Sequence, residues 1–180
     1  KDHLIKEVAR IFRYFIQYNK TQFYVNGVKV SAYDPMVYDI PISWTTTETD
    51  PVTGKSKKKK VVLQSEILSD KVFKDIEYVD KDGNLKKDGW IKYRSYCLPL
   101  GWVNDKDTFA KKYKWNWANQ GISVVRNNRE ITWGKTFGII NKNSKLNRFR
   151  VEIHYSPEMD HLWGLDFKKT RVDPTDDIID

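Results

Sequence analysis

Two adjacent lysines, Lys168 and Lys169, follow a strand and a turn near the C-terminal end of the chain, in the run Leu165-Asp166-Phe167-Lys168-Lys169-Thr170. A lysine on a loop held at both ends reaches a phosphate oxygen as a point charge. The plain alternative for such a pair is a solvated basic loop. Other chemistry-bearing residues are sparse. His3, His154 and His161 are scattered, and His154 falls on the polar side of its strand, where it reads as an isolated surface histidine. No phosphate-binding Gly-Lys-Ser/Thr loop, dinucleotide-type glycine turn or His-Glu pair at zinc spacing occurs. A self-contained enzyme is therefore not what these residues suggest.

The elements that must position the lysines begin at Asn147. Phe149, Val151, Ile153 and Tyr155 alternate with Arg150, Glu152 and His154, the period of a half-buried strand with one apolar and one charged face. Ser156-Pro157 stops that strand, Glu158-Met159-Asp160 starts a short helical turn, and Gly164 releases the chain into the lysine loop.

Lys and Arg outnumber Asp and Glu by 32 to 24, and the net charge of +8 permits an anionic partner without requiring one. Part of the excess is local. Lys57, Lys58, Lys59 and Lys60 form a basic run, and Lys111 and Lys112 lie on an expected helix; together they are the candidate nucleic-acid contacts. A single cysteine, Cys97, excludes an internal disulfide and a cysteine-based zinc site, which suits a reducing, cytoplasmic setting. No apolar run approaches membrane-spanning length, so no membrane partner is expected. The first residue is Lys and an amphipathic helix follows at once, so a piece of a longer protein is expected.

From Asp2 to Tyr18 the apolar residues Leu4, Ile5, Val8, Ile11, Phe12, Phe15 and Ile16 recur at helical intervals. Asn26-Gly27 between β-formers predicts a tight hairpin, because both central residues must take positive φ. After Asp34-Pro35, strands are expected over 37–47 and 59–67, joined by a turn at Asp50-Pro51-Val52-Thr53-Gly54-Lys55. Residues 70–89 read as a polar stretch with a surface turn at 80–84. Trp90 to Leu98 reads as a strand. A helix capped by Asn104 or Asp105 runs through Phe109, Tyr113 and Trp117. Gly121 to Trp133 reads as a hairpin turning at Asn127-Asn128, 134–146 as a connection, and 174–180 as the start of a helix.

Two of these runs together carry a resemblance. Gly121-Ile122-Ser123-Val124-Val125-Arg126-Asn127-Asn128-Arg129-Glu130-Ile131 and the lysine loop, joined by a strand, resemble the second half of GHKL (Bergerat-fold) ATPases of the MORC-type branch. More distantly, the pattern is similar to the transducer domains of gyrase B and MutL. The resemblance implies an α+β fold: a two-layer mixed sheet packed by helices, like domain two of ribosomal protein S five, with a left-handed βαβ crossover. It divides the chain into a lead-in helix and hairpin over 1–34 and a transducer domain over 35–180. It further implies ATP and Mg bound mainly by a preceding Bergerat-fold domain, with Lys169 or Lys168 reaching the γ-phosphate. A homodimer and DNA enter as partners on the same grounds. No Glu-Asn helix or Asp-x-Gly-x-Gly loop of the nucleotide pocket occurs in these residues. A stand-alone basic nucleic-acid-binding domain is the alternative.

Overall fold

The computed structural model describes residues 2–99, 119–168 and 171–179. The opening amphipathic run forms α1 (Asp2–Ile11) and α2 (Arg13–Gln17), with a break at Phe12. The amides of Phe12 and Ile16 still bond to Val8 and Phe12 carbonyls, so the helix bends there without ending. The expected Asn-Gly hairpin is present as β1 (Tyr24–Val25) and β2 (Val28–Lys29), with φ of 50° at Asn26 and 76° at Gly27.

The strand expected from Val37 begins only at Ile42. Residues before it wrap around the Asp34 carboxylate, which accepts the amides of Met36 (2.9 Å), Tyr38 (2.8 Å) and Asp39 (2.9 Å). Amides spent on a carboxylate cannot also enter a ladder. Buried Val37 sits at a φ of 55°, a costly conformation for a β-branched residue. Next comes a two-stranded ribbon of β3 (Ile42–Thr49) and β4 (Ser56–Leu63), with the expected turn at its tip. The second strand was expected to reach Ile67. It is divided instead at Gln64-Ser65, where the Ser65 amide turns to the Val37 carbonyl.

Residues 66–97 depart most from the sequence reading. β5 (Glu66–Val79) and β6 (Leu85–Cys97) form a long hairpin, so most of the stretch taken as polar surface is strand. As the outermost strand, β5 leaves most of both faces in water, and its pairing is broken by register shifts around Ile67, Phe73 and Ile76. A strand wet on both sides has no reason to alternate. The surface turn at its end is as expected, with Asp80 accepting the amides of Asp82 and Asn84, each at 2.9 Å.

β7 (Gly121–Arg126) and β8 (Arg129–Lys135) make the Asn-Asn hairpin, with φ of 47° at Asn127 and 64° at Asn128. β9 (Phe149–Tyr155) enters between β6 and β7, giving the order β5-β6-β9-β7-β8. β9 pairs antiparallel with β6 and parallel with β7. The link between the parallel strands β7 and β9 runs through β8 and a single 3-10 turn at Ser144–Leu146, with no α-helix. Among the described residues the chain is mixed α+β, with more strand than helix.

One sheet face carries the apolar core: Tyr78, Ile122, Val124, Val151 and Tyr155, packed beneath Met159, Trp163 and Val172 of the C-terminal segment. That segment ends in the short helix α3 (Asp176–Ile179), as expected. The other face of β9 is not the solvated one that its charges suggest. Arg150 and Glu152 are both buried, and Glu152 is reached by Arg13 and Tyr14 of α2. Among the described residues no helix is long and apolar enough to cross a membrane. The helix expected through Phe109, Tyr113 and Trp117 lies outside the described residues.

Candidate functional site

The lysine loop is built outward from Tyr155, the last residue of β9. Its ring stacks on buried Trp163 with centroids 4.6 Å apart. Between them the chain turns through a 3-10 helix at Pro157–Met159. The Arg126 guanidinium, at the end of β7, grips Asp160 at 2.6 Å, and the Tyr155 hydroxyl donates to the same carboxylate oxygen at 3.2 Å. That hydrogen bond and charge, against the cost of partial burial, raise the pKa of Arg126 further.

Past Trp163 the chain closes on itself. The Asp173 amide bonds to the Trp163 carbonyl (3.0 Å), and the Thr175 amide to the Leu162 carbonyl (2.9 Å). At the crossing, Gly164 has a φ of 54°, and a Cβ there would lie 2.1 Å from the Asp173 carbonyl oxygen. Only glycine fits. Further out, Asp166 and Arg171 bond reciprocally: the Asp166 amide to the Arg171 carbonyl (3.3 Å), and the Arg171 amide to Asp166 Oδ1 (2.9 Å). The tip beyond this pinch holds Phe167, fully exposed, and Lys168, also exposed. Lys169 lies outside the described residues.

The basic candidates separate. Lys57, Lys58, Lys59 and Lys60 are all exposed on β4, opposite Glu48, Thr47, Thr46 and Thr45. Alternation along the strand puts Lys57 and Lys59 on one face of the ribbon and Lys58 and Lys60 on the other. Lys59 also reaches Glu48 at 3.4 Å. The run therefore does not form one continuous patch. Lys111 and Lys112 lie outside the described residues.

A second constellation was not foreseen. Arg13 of α2 is buried, and its guanidinium bridges Glu130 of β8 (2.6 Å) and Glu152 of β9. Arg10 also pairs with Glu130. Glu152 takes the Tyr14 hydroxyl and, at 2.7 Å, Nε2 of His154. His154 is thus an oriented, partly covered imidazole and not the free surface histidine of the sequence reading. Burial alone would raise the Glu152 pKa; Arg13, His154 and Tyr14 outweigh it and hold the carboxyl well below its usual range. Burial likewise opposes the charge on Arg13, and the two glutamates overcome it. The pattern Arg10/Arg13 with Glu130 and Glu152 gave no sequence signal, because its members lie more than a hundred positions apart.

Beside this clamp a cleft of about 340 Å³ is lined by Tyr14, Tyr18, Asp39, Lys92, Arg94, Asn128 and His154. Tyr18 stacks on Tyr14 at 5.9 Å, and its hydroxyl bonds to Asp39; burial and that carboxylate push its pKa up to about 12. Among the described residues no cluster of His, Cys, Asp and Glu could hold a metal ion. No family model, curated protein or solved structure matches the chain.

Proposed function

We propose that this chain is the transducer half of a GHKL-type ATPase. It would couple ATP-dependent closure or dimerisation, driven by a preceding Bergerat-fold domain holding ATP and Mg, to work on another macromolecule such as DNA. The observation that carries the reading is a contact from the first signature to the turn that precedes the second. Arg126, at the end of the strand before Asn127-Asn128, clasps Asp160 in the turn that launches the lysine loop. The hairpin thus braces the base of a loop whose tip presents Lys168 to solvent, with Lys169 next in sequence. The γ-phosphate is lost on hydrolysis, so a lysine that touches it makes the geometry between domains depend on nucleotide state. A braced loop suits that task.

The buried clamp supports the same reading from the other end. α1 and α2 lead in from the expected position of the nucleotide domain, and Arg13 fastens them to β8 and β9. In this proposal the five-stranded sheet is the transducer layer of the ribosomal protein S five type.

The test is ATP turnover by the full-length protein with Lys168→Ala and Lys169→Ala separately. Removing a charge that stabilises the transferring phosphoryl group costs on the order of 10²-fold in turnover, so one of the two variants should fall by about that much. Unchanged turnover in both ends the assignment.

One observation favours a second reading. The β3–β4 ribbon is two-stranded and bears four exposed lysines, the shape and charge that enter a major groove. Under that reading the chain alone binds duplex DNA. Its affinity falls steeply with salt, and Lys58→Gln with Lys60→Gln lowers the slope by about two.

A further inference from the structure

The cleft between α2 and the sheet has a use that the clamp alone does not require. Lys92 of β6 lies directly across from His154 of β9 in the antiparallel register, so the two side chains share one sheet face. Lys92 is partly buried and has no carboxylate partner among the described residues. A lysine held along a sheet face with no carboxylate on its ammonium offers that charge to an anion entering the cleft. The neighbouring groups are otherwise engaged. Arg94 donates through Nε to Asp70 at 2.8 Å, and Asp39 receives the Tyr18 hydroxyl. Asn128 lines the mouth from the β7–β8 turn, its backbone fixed at positive φ. His154 donates Nε2–H to the Glu152 carboxylate, which leaves Nδ1 to accept the P–OH of a phosphate monoanion in the neutral ring, or to donate to a phosphate oxygen in the imidazolium.

We propose that this cleft binds a phosphate group at the end of a small ligand, held by Lys92, His154 and Asn128. The volume, about 340 Å³, is at the small end for ligand sites and suits a compact headgroup with a short stem. Arg94, already paired with Asp70, lines the same cleft, and the exposed ring of Tyr18 gives the stem an apolar wall. Tyr14 and Tyr18 come from the lead-in helices, whereas Lys92 and His154 come from the sheet. The ligand would therefore sit on the seam that the Arg13 clamp holds shut, and its binding would report on the position of those helices. This site is separate from the lysine loop and does not depend on a γ-phosphate sensor.

The test is a titration of the chain with inorganic phosphate at constant ionic strength, followed by amide and imidazole NMR signals. The signals of Lys92, Asn128 and the His154 ring should move together on one binding curve. Lys92→Met should weaken binding about tenfold or more, the loss of one charge-assisted contact. Lys92→Arg should retain most of it, and Lys87→Met, whose lysine pairs with Glu77 near the far end of the hairpin, should leave it unchanged. AMP should bind at least as well as phosphate, and an oligothymidylate without a terminal phosphate should not bind the cleft. The proposal is overturned if Lys92→Met binds like the parent, if the shifts centre on Lys57 to Lys60, or if the oligonucleotide occupies the cleft better than the monoester.

Discussion

At the scale of single residues, Glu152 is held by three side chains. It is buried, and it accepts from Arg13, Tyr14 and His154 at once. Glu152→Gln leaves the Arg13 charge with Glu130 alone, and breaking a buried pair costs about 3–5 kcal/mol; urea unfolding at neutral pH should show a loss of that size. The pH dependence has a definite sign. Because the folded-state pKa of Glu152 is depressed, its stabilisation is complete above the unfolded value and drains away as pH falls below the ordinary carboxylate range, roughly 4 to 5. The stability gap between parent and Glu152→Gln should therefore narrow between neutral pH and pH 3, and a gap that stays constant contradicts the depressed pKa. Strand period correctly placed Glu152 and Arg150 opposite Phe149 and Val151. It did not show that both faces are buried, because burial of a charge is decided by a partner contributed from more than a hundred residues away.

At the scale of elements, the lysine loop depends on one glycine. A side chain on Gly164 would collide with the Asp173 backbone, and its φ of 54° is strained for any other residue. Gly164→Ala should force the two strands of chain apart, and amide exchange at Asp173 and Thr175, both bonded across that crossing, should accelerate by about tenfold or more, an opening cost lowered by about 1.4 kcal/mol. Unchanged exchange at those amides refutes the account of the crossing. Elements were legible where local chemistry decides them: the Asn26-Gly27 and Asn127-Asn128 turns and the opening helix follow from backbone preference and period. β5 was not legible. Its neighbours lie on one side only, so burial imposes no pattern on Asp70 to Val79. The loop around Asp34 escaped for a related reason, since a carboxylate gathering amides leaves the same β-branched, aromatic composition that a strand would have.

At the scale of the whole molecule, the Arg13 clamp makes the lead-in helices part of the same cooperative unit as the sheet. Native-state exchange should find the amides of Ile16 and Tyr18 about as protected as those of β7 and β9, with the ribbon tip near Val52 exchanging fast. Arg13→Met should expose the α2 amides while β7 stays protected; fast exchange of α2 in the parent protein would show the helices to be loosely attached. The position of β9 carries a last consequence. Among the described residues it is the central strand of the five-stranded sheet, yet it follows that sheet's other four strands in sequence. Until Tyr155 emerges, the β5–β6 and β7–β8 hairpins have nothing to join them, and each offers a bare edge to other chains. A nascent polypeptide halted before residue 149 should consequently be held by chaperones or clump, and the addition of those seven residues should turn two orphan hairpins into one protein.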